Sequence, residues 1–271
     1  MMENFSARRL ALLLGCWLFA ITPACQRKAE KAAPATSPTP SSGAKQVAEV
    51  NRVAQPITGP ITPAIVDQQN PDSIAAYLHF PKDPQTAKLD SAVQFYCDIT
   101  ETGTVETTDA LVGKNEAFKD AVQKALDWGH FTPATVNGKP VRVYVGGTVL
   151  FLHENGEEVI VVSLATHDRD RVSKFENYIQ PQLVGGLRHA LEQEIAKLTK
   201  GILVAGRAEV VVNVDHEGKV TGTSAISESP RGSGLGRLLD DAVRHSNFTP
   251  AYENGKPAAG GINVVADFGM F

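Results

Sequence analysis

"HFTPATVNGKPV" at His130–Val141 and "NFTPAYENGKPAAGG" at Asn247–Gly261 share the frame F-T-P-A-x-x-N-G-K-P. Phe131, Thr132, Pro133, Ala134, Asn137, Gly138, Lys139 and Pro140 match Phe248, Thr249, Pro250, Ala251, Asn254, Gly255, Lys256 and Pro257. A phrase repeated at this density marks an internal duplication. Its chemistry is that of a turn, because Asn-Gly tolerates positive φ and a proline two residues later cannot continue a regular ladder. The phrase therefore predicts a bend between two extended pieces, a structural role rather than a catalytic loop.

Working outward from the first copy, "AVQFYCDI" alternates, with Phe95, Cys97 and Ile99 on one side and Gln94, Tyr96 and Asp98 on the other. That pattern predicts a strand with one buried face. "TETG" reads as a hairpin turn and Val105 starts the return strand. "NEAFKDAVQKALDW" switches to helical spacing, with Phe118, Ala121, Val122, Ala125 and Leu126 on one face. After the turn phrase, "VRVYVGGTVLF" closes the unit as a third strand, with Val143, Val145, Val149 and Phe151 on one side.

The second copy follows the same plan. Val210, Val212 and Val214 take the places of Phe95, Cys97 and Ile99, and "DHEGKV" is the hairpin. "LGRLLDDAVRHS" carries Leu235, Leu238, Leu239, Ala242 and Val243 on its apolar face, and "AAGGINVVADF" supplies the last strand. The fold class expected is α+β: two tandem β-β-α-β units, each a small antiparallel sheet covered by one helix. The units span 85–165 and 201–271. Each is small for an independent core, which favours contact between them. Between them, "ENGEEVIVVSLAT" predicts an Asn155-Gly156 hairpin and a strand from Glu158 to Ala165. Residues 166–200 read as a helical linker: a short helix near Asp168–Tyr178, a break at Pro181, and a longer helix with Val184, Leu187, Leu191, Ile195 and Leu198 as its apolar stripe.

The chain has 271 residues, 42% of them hydrophobic, and a formal net charge of −4. That suits one or two globular domains and gives no electrostatic reason to bind nucleic acid. The amino terminus is different in kind. Arg8 and Arg9 precede the apolar run "LALLLGCWLFAITPAC", which ends at Cys25. A charged n-region, a short apolar h-region and a small residue before the break describe a secretory signal over residues 1–24. The run is short for a spanning helix, which needs about 20 apolar residues. Ala24-Cys25 resembles a bacterial lipoprotein signal in which Cys25 becomes the lipidated first residue, although Thr22 and Pro23 depart from that motif. An ordinary cut and a retained membrane anchor are the alternatives. Residues 25–75 are rich in Ala, Pro, Ser and Thr and read as a disordered tether.

The sequence holds three cysteines, Cys16, Cys25 and Cys97. None has a disulfide or metal-site spacing, and Cys97, on a predicted strand, reads as a buried thiol. No nucleophile–base arrangement stands out, so the expectation is a non-enzyme with neither cofactor nor metal.

A strand ending in D-x-x-G-x-V, an amphipathic helix, then F-x-P-A-x-x-N-G-K-P and an alternating strand ending in Phe resembles the TonB C-terminal domain. The residues that carry this are Asp215, Gly218, Val220, Phe248, Pro250, Ala251, Asn254, Gly255, Lys256, Pro257 and Phe268, and in the first copy Gly103, Val105, Phe131, Pro133, Ala134, Asn137, Gly138, Lys139, Pro140 and Phe151. The Tyr-Pro element that often precedes the family's first strand is missing from both copies. The apolar segment Leu10–Ile21 also lacks the His carried by the family's motor-coupled anchor helix. The resemblance implies a periplasmic, membrane-anchored protein of the Gram-negative envelope. Such a protein takes an extended peptide of an outer-membrane transporter, or of another envelope partner, by adding it beside the last strand, and it transmits energy for transport. The alternative is a lipid-anchored scaffold that transduces nothing, and association of two copies through their strand edges stays open as a third reading.

The docking edge implied is the third strand of a unit. In the first copy the Asn155-Gly156 hairpin brings a further strand beside it. The second copy has no such follower in the sequence. The peptide-binding edge expected is therefore Ile262, Asn263, Val264, Val265, Ala266, Asp267 and Phe268, as an open edge.

Overall fold

Alternating and helical spacings become antiparallel sheets and amphipathic helices, and the chain is mixed α+β. The computed structural model describes residues 59–83, 85–86, 88–166, 177–196 and 205–269, all within one unit of the chain. In chain order the first half contains β1 (Ile61–Thr62), α1 (Ile74–Tyr77), β2 (Ser91–Ile99), β3 (Val105–Val112), α2 (Glu116–Trp128), β4 (Ala134–Val136), β5 (Lys139–Val141), β6 (Val143–Glu154) and β7 (Glu157–Ser163). β2 lies between β3 and β6, and β6 also pairs with β7, all antiparallel. Asn115 caps α2, its side chain accepting from the Ala117 N–H at 2.9 Å. The helix buries Phe118, Val122, Ala125 and Leu126. They join Phe95, Cys97, Ile99, Val145, Val149 and Phe151 in one core. Burying a side chain of this size stabilises the fold by roughly 1.5–3 kcal/mol.

Next come β8 (Tyr178–Ile179), β9 (Leu183–Val184) and α3 (Leu187–Ile195). The second half holds β10 (Arg207–Val214), β11 (Val220–Ser229), α4 (Leu235–Arg244), β12 (Asn247–Phe248), β13 (Ala251–Glu253), β14 (Lys256–Ala258) and β15 (Gly260–Asp267). β10 is the middle strand of the order β11-β10-β15, and α4 buries Leu235, Leu239, Ala242 and Val243.

The repeated phrase is a tight hairpin in both places, joining β4 to β5 and β13 to β14. Asn137 and Gly138 have φ of 53° and 73°, and Asn254 and Gly255 have 51° and 76°. Two successive positive φ values suit the twist of a two-residue hairpin, and Asn-Gly adopts them at least cost. A second constraint links each phrase to its preceding β-hairpin. A Cβ at Gly103 would sit 2.0 Å from the Phe131 carbonyl oxygen, and one at Gly218 would sit 2.3 Å from that of Phe248. The glycine of D-x-x-G-x-V is thus required by close backbone approach to the phrase's phenylalanine.

Three expectations need correction. The tether does not run to residue 75. β1 pairs with β4, Ala64 and Ile74 are buried, and Ser73 caps α1, so apolar residues scattered among prolines anchor residues 61–77 on the first half. The segment 166–200 is not a helical linker throughout. Its described portion contains two short strands before the helix: β8 pairs with β13, while β9 pairs with β6 and β12. Val184 is therefore a strand residue, placed there by main-chain pairing; Leu187 and Leu191 are buried on α3. The short helix expected near Asp168 falls largely outside the described residues, as does Leu198. Finally, β2 is buried on both faces: Tyr96 and Asp98, on the side expected to be exposed, are each 1% accessible.

The second half covers that face. One cluster joins Tyr96, Ala110 and Tyr144 of the first half to Val210, Val212, Leu239, Ile262, Val264 and Val265 of the second, with Leu183, Leu187 and Leu191 between them. The polar sides of β2 and β6 are thus an internal interface.

Candidate binding edge

β15 runs antiparallel to β10 without a bulge, from Arg207 opposite Asp267 to Val214 opposite Gly260. Ile262, Val264 and Ala266 are fully buried in the cluster shared with α4, as is Phe268, whose N–H donates to the Gly206 carbonyl at 2.6 Å. Val265, on the opposite face, is buried as well. Asn263 and Asp267 are half-buried, and the Asn263 amide donates to Glu209 Oε1 at 3.0 Å. All seven residues expected at the edge thus lie on β15 or immediately after it. Among the described residues, β10 is the sole strand paired with β15.

In an antiparallel strand, alternate residues turn their main-chain N–H and C=O to opposite edges. Val265 turns both away from β10, and both are engaged. The Tyr144 hydroxyl accepts from the Val265 N–H at 2.8 Å and donates to the Val265 carbonyl at 3.0 Å. Tyr144 projects from β6 of the first half and is itself fully buried. Burial first, then the nearby Asp109 charge, pushes its hydroxyl well above the usual tyrosine range, so it stays protonated and able to donate. The edge expected to be open is therefore filled at Val265 by a side chain of the first half.

Sequence reasoning does not single out Tyr144. The alternation of β6 places Val143, Val145 and Val149 inward, and a tyrosine on the opposite face gives no sign that this face is covered. Around it the interface is unusually acidic. Asp98 accepts from the Leu187 and Arg188 N–H groups at 2.8 and 3.1 Å, capping the start of α3. Burial still raises its pKa against those bonds. Asp109 is 7% accessible, and its Oδ2 has no hydrogen-bond partner. Its pKa is pushed up to about 8, mainly by burial, then by the Asp98 charge; Arg188 opposes the shift and Asp267 adds to it. Burial likewise raises the Tyr96 hydroxyl to about 12.

The matching edge of the first half is covered. Strand β6 has β7 along Thr148–Glu154 and β9 at Val143–Tyr144. Between them the Gln180 side chain donates to the Gly146 carbonyl at 3.0 Å and accepts from the Thr166 N–H at 2.8 Å. A Cβ at Gly146 would lie 2.7 Å from that amide nitrogen, so a larger residue there would displace the Gln180 side chain. Gln182 has a similar role. Its side chain exchanges hydrogen bonds with both main-chain groups of Ala64, at 2.7 and 2.8 Å, and its N–H donates to the Thr249 hydroxyl at 3.0 Å. Residues 178–184 thus tie Ala64, the first-half strand β6 and the second half together.

The remaining features do not converge on chemistry. Cys97 is fully buried and its thiol is pushed up by burial. No group of metal-ligating side chains occurs among the described residues. No described helix is long and apolar enough to cross a membrane. Cys25 lies outside the described residues. An open cleft of about 920 Å³ borders Leu89, Val112, Phe118 and Leu150, away from β15. Comparison with family models, with curated proteins and with solved structures gives no match.

Proposed function

We propose that the chain is a periplasmic TonB-like protein of two tandem β-β-α-β units, tethered to a membrane through lipid on Cys25. It takes an extended peptide of an outer-membrane transporter, or of another envelope partner, by adding it to β15. The observation that carries the reading is that, among the described residues, β15 has one strand partner, while β6, its counterpart in the first half, is flanked on both sides. Strand addition draws affinity from main-chain hydrogen bonds and selectivity from alternate side-chain positions, and needs no catalytic group. Along β15 the positions that share Val265's orientation are Gly261, Asn263 and Asp267, and they set the register of a guest.

The test is amide chemical-shift mapping with short peptides tiled across the periplasmic amino-terminal segments of Gram-negative outer-membrane transporters. Perturbations centred on Gly261–Asp267 are expected. Perturbations centred on Val143–Phe151, with β15 silent, would sink the reading. Mass spectrometry of the mature amino terminus, with diacylglyceryl-Cys25 as the expected product, checks the anchor and would favour a scaffold over an energy transducer.

A further inference from the structure

From the geometry at Val265 we infer that the first half of the molecule is an autoinhibitory domain, and that Tyr144 holds the binding edge closed until a guest strand displaces it. The inference rests on the strand-addition reading above and names its regulation.

A residue at a hydrogen-bonded site of an antiparallel ladder exchanges two bonds with its partner: it donates from its N–H and accepts at its C=O. At Val265 one hydroxyl does both, at 2.8 and 3.0 Å. Tyr144 therefore occupies the place of one residue of an added strand. A guest running past Val265 cannot form its bonds there while the hydroxyl remains. Nor can the hydroxyl simply rotate away, because Tyr144 is fully buried in the cluster that joins the two halves. Displacing it requires the halves to separate, at least locally.

The interface is built so that separation is not prohibitive. It encloses a carboxyl group with an unpartnered oxygen, Asp109, close to Asp98, Asp267 and Arg188. Separation hydrates that group, lets it ionise and returns some of its burial cost. The two bonds lost by Tyr144 are replaced by two from the guest, so the exchange at Val265 itself is nearly even. The net affinity of a guest is then its intrinsic affinity for β15 reduced by the fraction of molecules with the clasp open.

Tyr144→Phe keeps the ring in the cluster and removes both bonds. Tyr96→Phe is the control. It removes a hydroxyl from the same interface, one that meets the Thr166 and Asn263 side chains rather than the Val265 main chain. Fluorescence anisotropy with the labelled transporter peptides is expected to show binding about tenfold tighter to Tyr144→Phe than to wild type, with Tyr96→Phe within about twofold of wild type. A wild-type measurement guards against a Tyr144→Phe variant that does not fold: on peptide addition, the Tyr144 ring resonances are expected to shift in step with the Val265 amide. Equal affinity of wild type and Tyr144→Phe, or a Val265 amide that shifts while Tyr144 does not, overturns autoinhibition and leaves strand addition standing. No binding by any of the three proteins removes strand addition, and autoinhibition falls with it.

Discussion

β6 and β15 come after nearly the same sequence phrase, and they lie beside β2 and β10 respectively, yet they end in different surroundings. β6 is flanked on its outer side by β7 and β9, with Gln180 filling the interval. Among the described residues, β15 has one strand beside it, and on its outer side the Tyr144 hydroxyl bonds the Val265 main chain. After β6, Asn155-Gly156 turns the chain back into β7 along its outer side; after β15, the Phe268 N–H continues the ladder onto Gly206, on the β10 side. A hairpin placed after one of two similar strands thus covers its outer side without altering the phrase that precedes it.

The comparison can be broken most forcefully by proline. Val145→Pro, in the strand with neighbours on both sides, removes a donor from the middle of a sheet and is expected to leave the protein unfolded by circular dichroism at ambient temperature. Folded Val145→Pro protein would mean that β6 is less embedded than its pairing indicates.

Asp109 tests the interface between the two strands. Its folded pKa of about 8 lies above the value near 4 of an unfolded chain. The folded state therefore holds a proton that the unfolded state has lost between those limits. The stability associated with that proton is fully present below about pH 4 and is lost as the pH rises to about 8. Asp109→Asn is expected to be more stable than wild type at about pH 8, by an amount on the order of a few kcal/mol. Its melting temperature should also depend less on pH between about 5 and 8. Parallel melting curves across that range would show that Asp109 is not held in the interface as described.

The turn glycines come next. Gly138 and Gly255 have φ of 73° and 76°, and a Cβ on either would meet nothing within 4 Å. Valine at either position should cost about 1–3 kcal/mol through backbone strain alone. Since Tyr96, Tyr144 and Val265 share one buried cluster, either change should shift a single calorimetric transition. Two separable transitions would make the halves independent and the clasp at Val265 incidental.

Cys97 occupies in β2 the place Val212 has in β10, and both are fully buried. Cys97→Ala should cost on the order of 1–2 kcal/mol as a small cavity, with peptide affinity unchanged. Asn263 shares the orientation of Val265 on β15. Asn263→Pro removes a main-chain donor that faces away from β10, together with the side-chain bond to Glu209, and should leave the protein folded, because proline is tolerated on edge strands. Peptide affinity should nevertheless be lost, and unchanged affinity would place the guest elsewhere.

Much of the fold is legible in the sequence because it is local. Asn-Gly turns depend on two residues' φ values, the α2 and α4 faces on 3.6-residue spacing, and the inner faces of β2 and β10 on two-residue alternation. Expectation and structure diverge where pairing partners are distant. Residues 61–77 resemble tether by composition, yet they are held through contacts with residues 130–136 and with Gln182. Residues 183–184 look helical by spacing, yet they pair with β6 and β12.

The candidate edge divides in the same way. The alternation of β15 and the hairpin that covers β6 are read from the sequence alone, because each depends on neighbouring residues and a turn. Only the tertiary structure decided that Tyr96, Asp98 and Tyr144 are inside and that one hydroxyl closes the edge at Val265. A polar side chain is buried where its hydrogen bonds can be satisfied, and for Tyr144 the satisfying groups lie 121 residues away along the chain.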